Sequence, residues 1–127
     1  MQCPCCSYLP YAMCCSPLHQ GVQRASSPLA LMRSRYSAYA LSIHHYILQT
    51  YVSEERELHS LDQIKQSFEG VKWVRLDILN VSADRVAFAA FYERSGQQLV
   101  IREDSAFRLD NEGWRYWGSQ SRVETSQ

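Results

Sequence analysis

The chain places all five of its cysteines between positions 3 and 15, and that clustering limits what its N-terminus can become. In a reducing compartment disulfides rarely persist, so a tight group of thiols points to metal binding or redox chemistry. The pattern is Cys3-Pro4-Cys5-Cys6, then a short loop, then Cys14-Cys15. Thiolates one residue apart can converge on a tetrahedral ion from a tight turn, and a second close pair returning after a loop completes four ligands. The spacing therefore favours Cys3, Cys5, Cys14 and Cys15 as ligands of one Zn²⁺, leaving Cys6 as a free or supporting thiol. Two readings compete with zinc: a flexible cysteine-rich tail that oxidises in air, and a reactive thiol pair. Cytoplasmic tails do not usually collect five thiols, and no strand and helix frame the cluster as in a thioredoxin-type motif, so zinc is preferred. His19 is a weaker substitute ligand and reads first as a loop histidine.

Length and charge narrow the rest. A chain of 127 residues, 46% of them hydrophobic and 12% aromatic, can bury one ordinary core with a small appendage but not two domains. No stretch approaches the roughly 20 apolar residues of a membrane helix, and the N-terminus has neither a basic start nor a long apolar run. The expectation is a soluble cytoplasmic protein. Thirteen basic and thirteen acidic residues balance, which lacks the basic footprint of a nucleic-acid binder. The first 53 residues hold only Arg24, Arg33 and Arg35 as charges, and these could offset the negative charge of a zinc–thiolate group.

Along the chain, Ser27 followed by Pro28 is a helix N-cap with proline at the first helical position. The spacing predicts a helix over 28–41 with Leu29, Met32, Tyr36, Tyr39 and Ala40 on one face and Arg33 and Arg35 flanking it. A second helix is expected over 43–51, and Ser60 with Gln63 has capping-box spacing for a third over 61–68. The acidic run Glu54, Glu55 and Glu57 reads as a solvated connection. The period then changes to two, predicting strands at 73–81, 85–92, 99–109 and 114–118 joined by short turns. Helices followed by an antiparallel meander make an α+β domain with helices on one face of a twisted sheet. The division expected is a zinc segment over 1–24 and a domain over 25–127, with core residues beginning at Leu29.

The run Cys3-Pro-Cys-Cys-Ser, Pro-Tyr, Cys-Cys and His19 resembles the SEC-C zinc motif known from the tail of the SecA translocation ATPase. The remainder resembles the uncharacterised bacterial UPF0225, or YchJ-like, family. The matching stretches are Ala30-Leu-Met-Arg-Ser-Arg-Tyr-Ser-Ala-Tyr39, Trp73 with Leu76 and Ile78, Val86-Ala-Phe-Ala-Ala-Phe-Tyr92, Glu103-Asp-Ser-Ala-Phe107 and Gly113-Trp-Arg-Tyr116. The resemblance implies an NTF2-like (cystatin-like) roll, helices packed on a curved antiparallel sheet, with zinc at the four matching cysteines and no established activity. Two departures matter. Tyr8 and Leu9 stand where the motif usually has Gly-Lys, which removes a positive charge and adds apolar surface. Arg102 stands where the family tends to carry a histidine, so any acid–base role for that histidine is absent here.

Alternation on the third strand puts Leu99, Ile101, Glu103, Ser105 and Phe107 on one face. A carboxylate in that apolar row needs a partner, and Arg33 or Arg35 is the candidate, with Tyr36 and Tyr92 able to add hydrogen bonds. The leading expectation is a non-enzymatic zinc-containing module that presents Tyr8, Leu9, Tyr11, Met13 and Leu18 to a protein partner or to its own domain. The alternative is a small-molecule binder or enzyme using an NTF2-like cone around Glu103, Ser105, Arg33, Arg35, Tyr36 and Tyr92. Nucleic acid and membrane are disfavoured as partners, and the open sheet face would suit a homodimer.

Overall fold

A 3₁₀ turn (Tyr11–Met13) and a one-turn helix α1 (Ser16–His19) lead into the longest helix, α2 (Pro28–Ala40). In the computed structural model, which describes residues 1–125, the Ser27 hydroxyl accepts the Ala30 N–H at 3.1 Å and Pro28 takes the first helical position. One orphan donor of α2 is thus answered and another is removed by proline. Helices α3 (His44–Gln49), α4 (Ser53–Arg56) and α5 (Leu61–Ser67) follow. At α5 the Ser60 hydroxyl accepts the Gln63 N–H while the Gln63 side chain accepts the Ser60 N–H, a complete capping box.

Strands β1 (Lys72–Val81), β2 (Arg85–Arg94), β3 (Gln97–Asp110) and β4 (Gly113–Thr125) form one antiparallel sheet in sequence order. Ser95 and Gly96 both have positive φ, 52° and 78°, as a two-residue turn between twisted strands requires. Register shifts within β1 and between Ala106 and Phe107 of β3 curve the sheet, because an extra residue on one side of a ladder bends that strand. The helical layer is tied to the sheet by backbone bonds at one corner. The Val52 N–H donates to the Tyr116 carbonyl at 2.9 Å and the Tyr116 N–H to the Thr50 carbonyl at 2.7 Å. Among the described residues no helix is long and apolar enough to cross a membrane.

Three expectations are corrected. The acidic stretch is not merely a connection, because Ser53–Arg56 makes a helical turn and Glu54 accepts two hydrogen bonds from the Arg108 guanidinium. Strand β4 does not stop at Gly118 but continues to Thr125 against Leu99 to Ala106 of β3. That half of the strand is largely exposed and polar, so ladder hydrogen bonds hold it and no apolar alternation announces it. Third, the core does not begin at Leu29. Cys3, Cys5 and Cys15 are buried in the same cluster as Leu31, Met32 and Tyr36 of α2, Leu76 of β1, Phe88 and Ala90 of β2, and Phe107 of β3.

Helix α2 is accordingly buried on more than one face. Leu31, Ser34, Ser37 and Ala38 are buried along with Met32 and Tyr36. The sheet covers one side, the cysteine segment another, and Ala38 joins Tyr46, Ile47 and Ile64 in a second apolar cluster. Removing residues 1–24 should therefore strip packing from Leu31 and Met32 and lower the thermal midpoint of the remaining chain by about 5 °C or more, since each lost kcal/mol shifts a domain of this size by several degrees. Thermal unfolding followed by circular dichroism checks this, and an unchanged midpoint would contradict a shared core.

Candidate metal centre

The N-terminal segment folds into a tight knuckle. The Cys3 N–H donates to the Leu9 carbonyl at 2.8 Å and the Tyr11 N–H to the Met1 carbonyl at 2.9 Å, closing a hairpin whose turn holds Cys5 and Cys6. Cys6 and Tyr8 both sit at φ 65°, a left-handed conformation that costs energy for any residue with a Cβ. The Ser7 hydroxyl accepts the Leu9 N–H at 3.2 Å and lies 3.2 Å from Cys14 Sγ. The 3₁₀ turn then brings Cys14 and Cys15 back beneath the knuckle.

The sulfurs of Cys3, Cys5, Cys14 and Cys15 all lie within 4.8 Å of one another, and three of the four residues are buried. Cys5 to Cys14 is 3.6 Å and Cys14 to Cys15 is 3.8 Å. Four thiolates about 2.3 Å from a central ion in a tetrahedron have edges of roughly 3.8 Å, so the donor set fits one soft, four-coordinate ion. Cys6 stands apart from this group. Its sulfur accepts the Leu76 N–H of β1 at 3.4 Å and approaches the Pro4 carbonyl at 3.6 Å, which fastens the knuckle to the sheet.

Without a cation the thiols compete for protons. A hydrogen bond from Cys15 is the main cause holding Cys5 down to about 4. Sharing with Cys5 and burial push Cys15 strongly up, and burial pushes Cys3 up to about 11. Burial thus resists ionisation of Cys3 and Cys15, while Cys5 is the thiol favoured to ionise. A dication reverses that balance, because it makes full deprotonation favourable in a buried site. Arg33 adds positive charge nearby and donates from Nη1 to the Cys5 carbonyl at 2.7 Å.

His19 is buried and is not among the clustered sulfur ligands. Its Nδ1 accepts the Tyr11 hydroxyl at 2.6 Å, so Nε2 carries the proton and donates to the Ser34 carbonyl of α2 at 2.8 Å. Its ring also meets Tyr46 edge-on at 4.8 Å between centroids. The histidine thus links the cysteine segment, α2 and α3. Its sequence signal was faint, because a lone histidine after a cysteine pair reads as loop or ligand before it reads as a buried tie.

The residues expected around Glu103 separate. Arg35, Tyr36, Glu103 and Ser105 line one cavity of about 180 Å³ between α2 and the sheet. Arg33 serves the knuckle, and Tyr92 packs against Trp73 at 5.4 Å without lining the cavity. The expected ion pair does not form. Glu103 Oε2 accepts the Ser105 hydroxyl at 3.1 Å, and among the described residues no cationic side chain reaches it within 4.0 Å. Arg35 is held elsewhere, with Nη1 donating to the Ile47 carbonyl at 2.8 Å and to Thr50 Oγ1 at 2.6 Å. Its guanidinium carbon lies 4.7 Å from the Tyr51 ring centre and 4.4 Å from that of Tyr116. Burial raises the Glu103 pKa, opposed by Ser105 and by the charge of Arg35.

A family model described as the middle NTF2-like domain of YchJ matches residues 27–119. A UPF0225 protein of Deinococcus radiodurans is 39% identical over 119 residues, covering 90% of this chain and 85% of that protein. One from Vibrio cholerae is 31% identical over 122 residues, covering 91% and 80%. The solution structure of a SEC-C motif containing protein from Rhodopseudomonas palustris superposes with a TM-score of 0.86 at 35% identity, over 94% of this chain and 98% of that one. The crystal structure of a SEC-C motif containing protein from Psychrobacter arcticus, at 22% identity and TM-score 0.80 over 100% of this chain and 86% of that one, shares the fold.

Burial lowers the His19 pKa below its ordinary 6.5. The unfolded chain then binds more protons than the folded one as pH falls from about 6.5 to the lower folded value, so stability is full above that window and declines through it. His19→Gln should shrink this acid dependence while leaving every thiol in place, and His19→Ala should cost about 2 kcal/mol or more at pH 7.5 through lost packing and the unpaired Tyr11 hydroxyl. Urea unfolding across pH 5 to 8 measures both, and identical pH profiles for wild type and His19→Gln would contradict the tie.

Proposed function

The chain belongs to the UPF0225 (YchJ-like) family, and from that premise we propose that it is a non-enzymatic zinc-binding module in which Cys3, Cys5, Cys14 and Cys15 hold one Zn²⁺. The observation that carries this reading is the approach of four sulfurs to within 4.8 Å in a largely buried setting. An all-thiolate donor set selects zinc or iron over harder cations, and sulfurs this close suit a single ion rather than a multinuclear cluster. Zinc has no redox role here. It neutralises thiolates and locks the knuckle against α2, which is the work of a closed structural site with four protein ligands. Such a site needs reduced thiols, which a cytoplasmic location supplies.

The knuckle also turns apolar side chains outward beside the metal. Tyr8 is 77% exposed, Met13 75% and Leu9 50%, whereas Tyr11 is engaged by His19 and Leu18 packs against the second apolar cluster. In this reading Tyr8, Leu9 and Met13 are the contact surface for a protein partner. The position where the motif usually carries lysine holds Leu9, so the partner is met through apolar contact rather than through a basic charge.

Protein purified under reducing conditions should contain about one Zn²⁺ per chain. Cys5→Ser or Cys15→Ser should abolish binding, whereas Cys6→Ser should retain it. Adding Zn²⁺ to the apo form at neutral pH should release thiol protons, so affinity falls as pH drops. Elemental analysis and a pH-indicator titration provide the measurements. Metal-free wild type, or a Cys6→Ser protein as depleted as Cys5→Ser, would refute the assignment.

A further inference from the structure

The cavity beside Glu103 has the properties of a ligand site that is separate from the thiol cluster. Its rim is aromatic and half-buried. Tyr39, Phe68 and Trp73 meet at centroid distances of 5.3, 5.2 and 6.0 Å, and Tyr51 and Tyr116 continue the lining on the Arg35 side. Its floor is apolar, made by Met32, Phe88, Ala90, Ile101 and Phe107. At about 180 Å³ it exceeds the roughly 150 Å³ that suffices for benzene in an engineered apolar cavity. One ring with a small polar head therefore fits.

Two charged residues interrupt this lining, and neither has all of its hydrogen-bonding atoms partnered by protein groups. Glu103 Oε2 is taken by Ser105, while Oε1 has no hydrogen bond among the described residues. Arg35 spends Nη1 on Ile47 and Thr50, while its Nε and Nη2 have no acceptor among the described residues. The two side chains share the cavity but do not pair within 4.0 Å. These atoms are not sealed from solvent, so water in the cavity answers them, and a ligand that displaces that water must itself answer both.

We propose that this cavity binds a small, flat, uncharged ligand with an amide-type polar edge that offers an acceptor to Arg35 and a donor to Glu103, its ring lying among the aromatic side chains. The charges on the page decide the class. A cationic ligand would pair with Glu103 but meet the Arg35 guanidinium, and an anionic one would pair with Arg35 but meet the Glu103 carboxylate. A neutral edge carrying both a donor and an acceptor satisfies both residues with no such repulsion. A donor to Glu103 also favours its ionised form against the burial that raises its pKa. This site requires nothing of the metal.

Three matched probes test the assignment on the full-length protein as purified: benzamide, benzoate and benzylammonium, each one ring with a different head. Binding is read by two-dimensional NMR through the Trp73 indole N–H and the backbone amides of β3. Benzamide should bind with a Kd of about 1 mM, as expected for so few atoms, and benzoate and benzylammonium should each bind at least about tenfold more weakly. Glu103→Leu should weaken benzamide about tenfold or more through the lost charged acceptor. Ala90→Leu, which fills the floor, should abolish binding. If Ala90→Leu fails to fold, the Glu103→Leu comparison and the probe ranking still decide. No binding by benzamide, a ranking led by either charged probe, equal binding of all three, or a Glu103→Leu protein that binds benzamide as wild type does would overturn the proposal.

Discussion

A helix buried on several sides must have each of its polar side chains hydrogen-bonded, and α2 sets that condition for the whole molecule. Ser34, Arg35 and Ser37 lie among its buried residues, where an unpaired polar group costs on the order of 1 to 3 kcal/mol. Each is met by a carbonyl of α2 itself, by a neighbouring segment, or by both. The Ser34 hydroxyl donates to the Leu31 carbonyl at 2.8 Å and pairs with the Tyr46 hydroxyl of α3 at 2.7 Å. Ser37 donates to the Ser34 carbonyl, which also receives His19. Arg35 binds carbonyl and hydroxyl oxygens at the C-terminal end of α3, where a cation is also favoured by the helix dipole. Small side chains at 34, 37 and 38 let neighbouring segments approach α2 closely enough to make these bonds.

The same condition explains why the cysteine segment is not a free appendage. Its cysteines fill a side of α2 that would otherwise face water, and its His19 and the Cys5 carbonyl are bonded to that helix by Ser34 and Arg33. Leu76 N–H, turned toward Cys6 Sγ, fastens the far side of the knuckle to β1. Charge follows the same layout. A dication would neutralise the thiolates of this cluster, in which burial makes Cys3 and Cys15 resist ionisation, with Arg33 next to it and no carboxylate among the first 53 residues to compete.

The parts that could be read from the sequence are those governed by short-range chemistry. Ser27-Pro28 and the Ser60/Gln63 box name helix starts because a cap involves only a few neighbouring residues. The four cysteines could be singled out because ligand spacing is local, and the alternation through Ile101, Glu103, Ser105 and Phe107 fixed which β3 residues face inward. Long-range choices were not visible. Arg33 or Arg35 looked like the partner of Glu103, yet Arg33 turns to the Cys5 carbonyl, and the acceptors that claim Arg35, Ile47 O and Thr50 Oγ1, depend on where α3 ends against α2. The extension of β4 past Gly118 rests on backbone pairing with β3, which side-chain periodicity does not encode. Burial of Cys3, Cys5 and Cys15 in the main core was hidden because the same residues already had a sufficient explanation as ligands.

The central claim is that four sulfurs of this chain enclose one zinc ion and thereby close the knuckle on α2. X-ray absorption at the zinc edge of the metal-loaded full-length protein tests it most directly. The account predicts a single shell of four sulfur atoms at about 2.3 Å with no nitrogen or oxygen donor. A first shell containing imidazole nitrogen or water oxygen would contradict it, because His19 would then be a ligand rather than a tie to Ser34, or one of the four cysteines would lie outside the site.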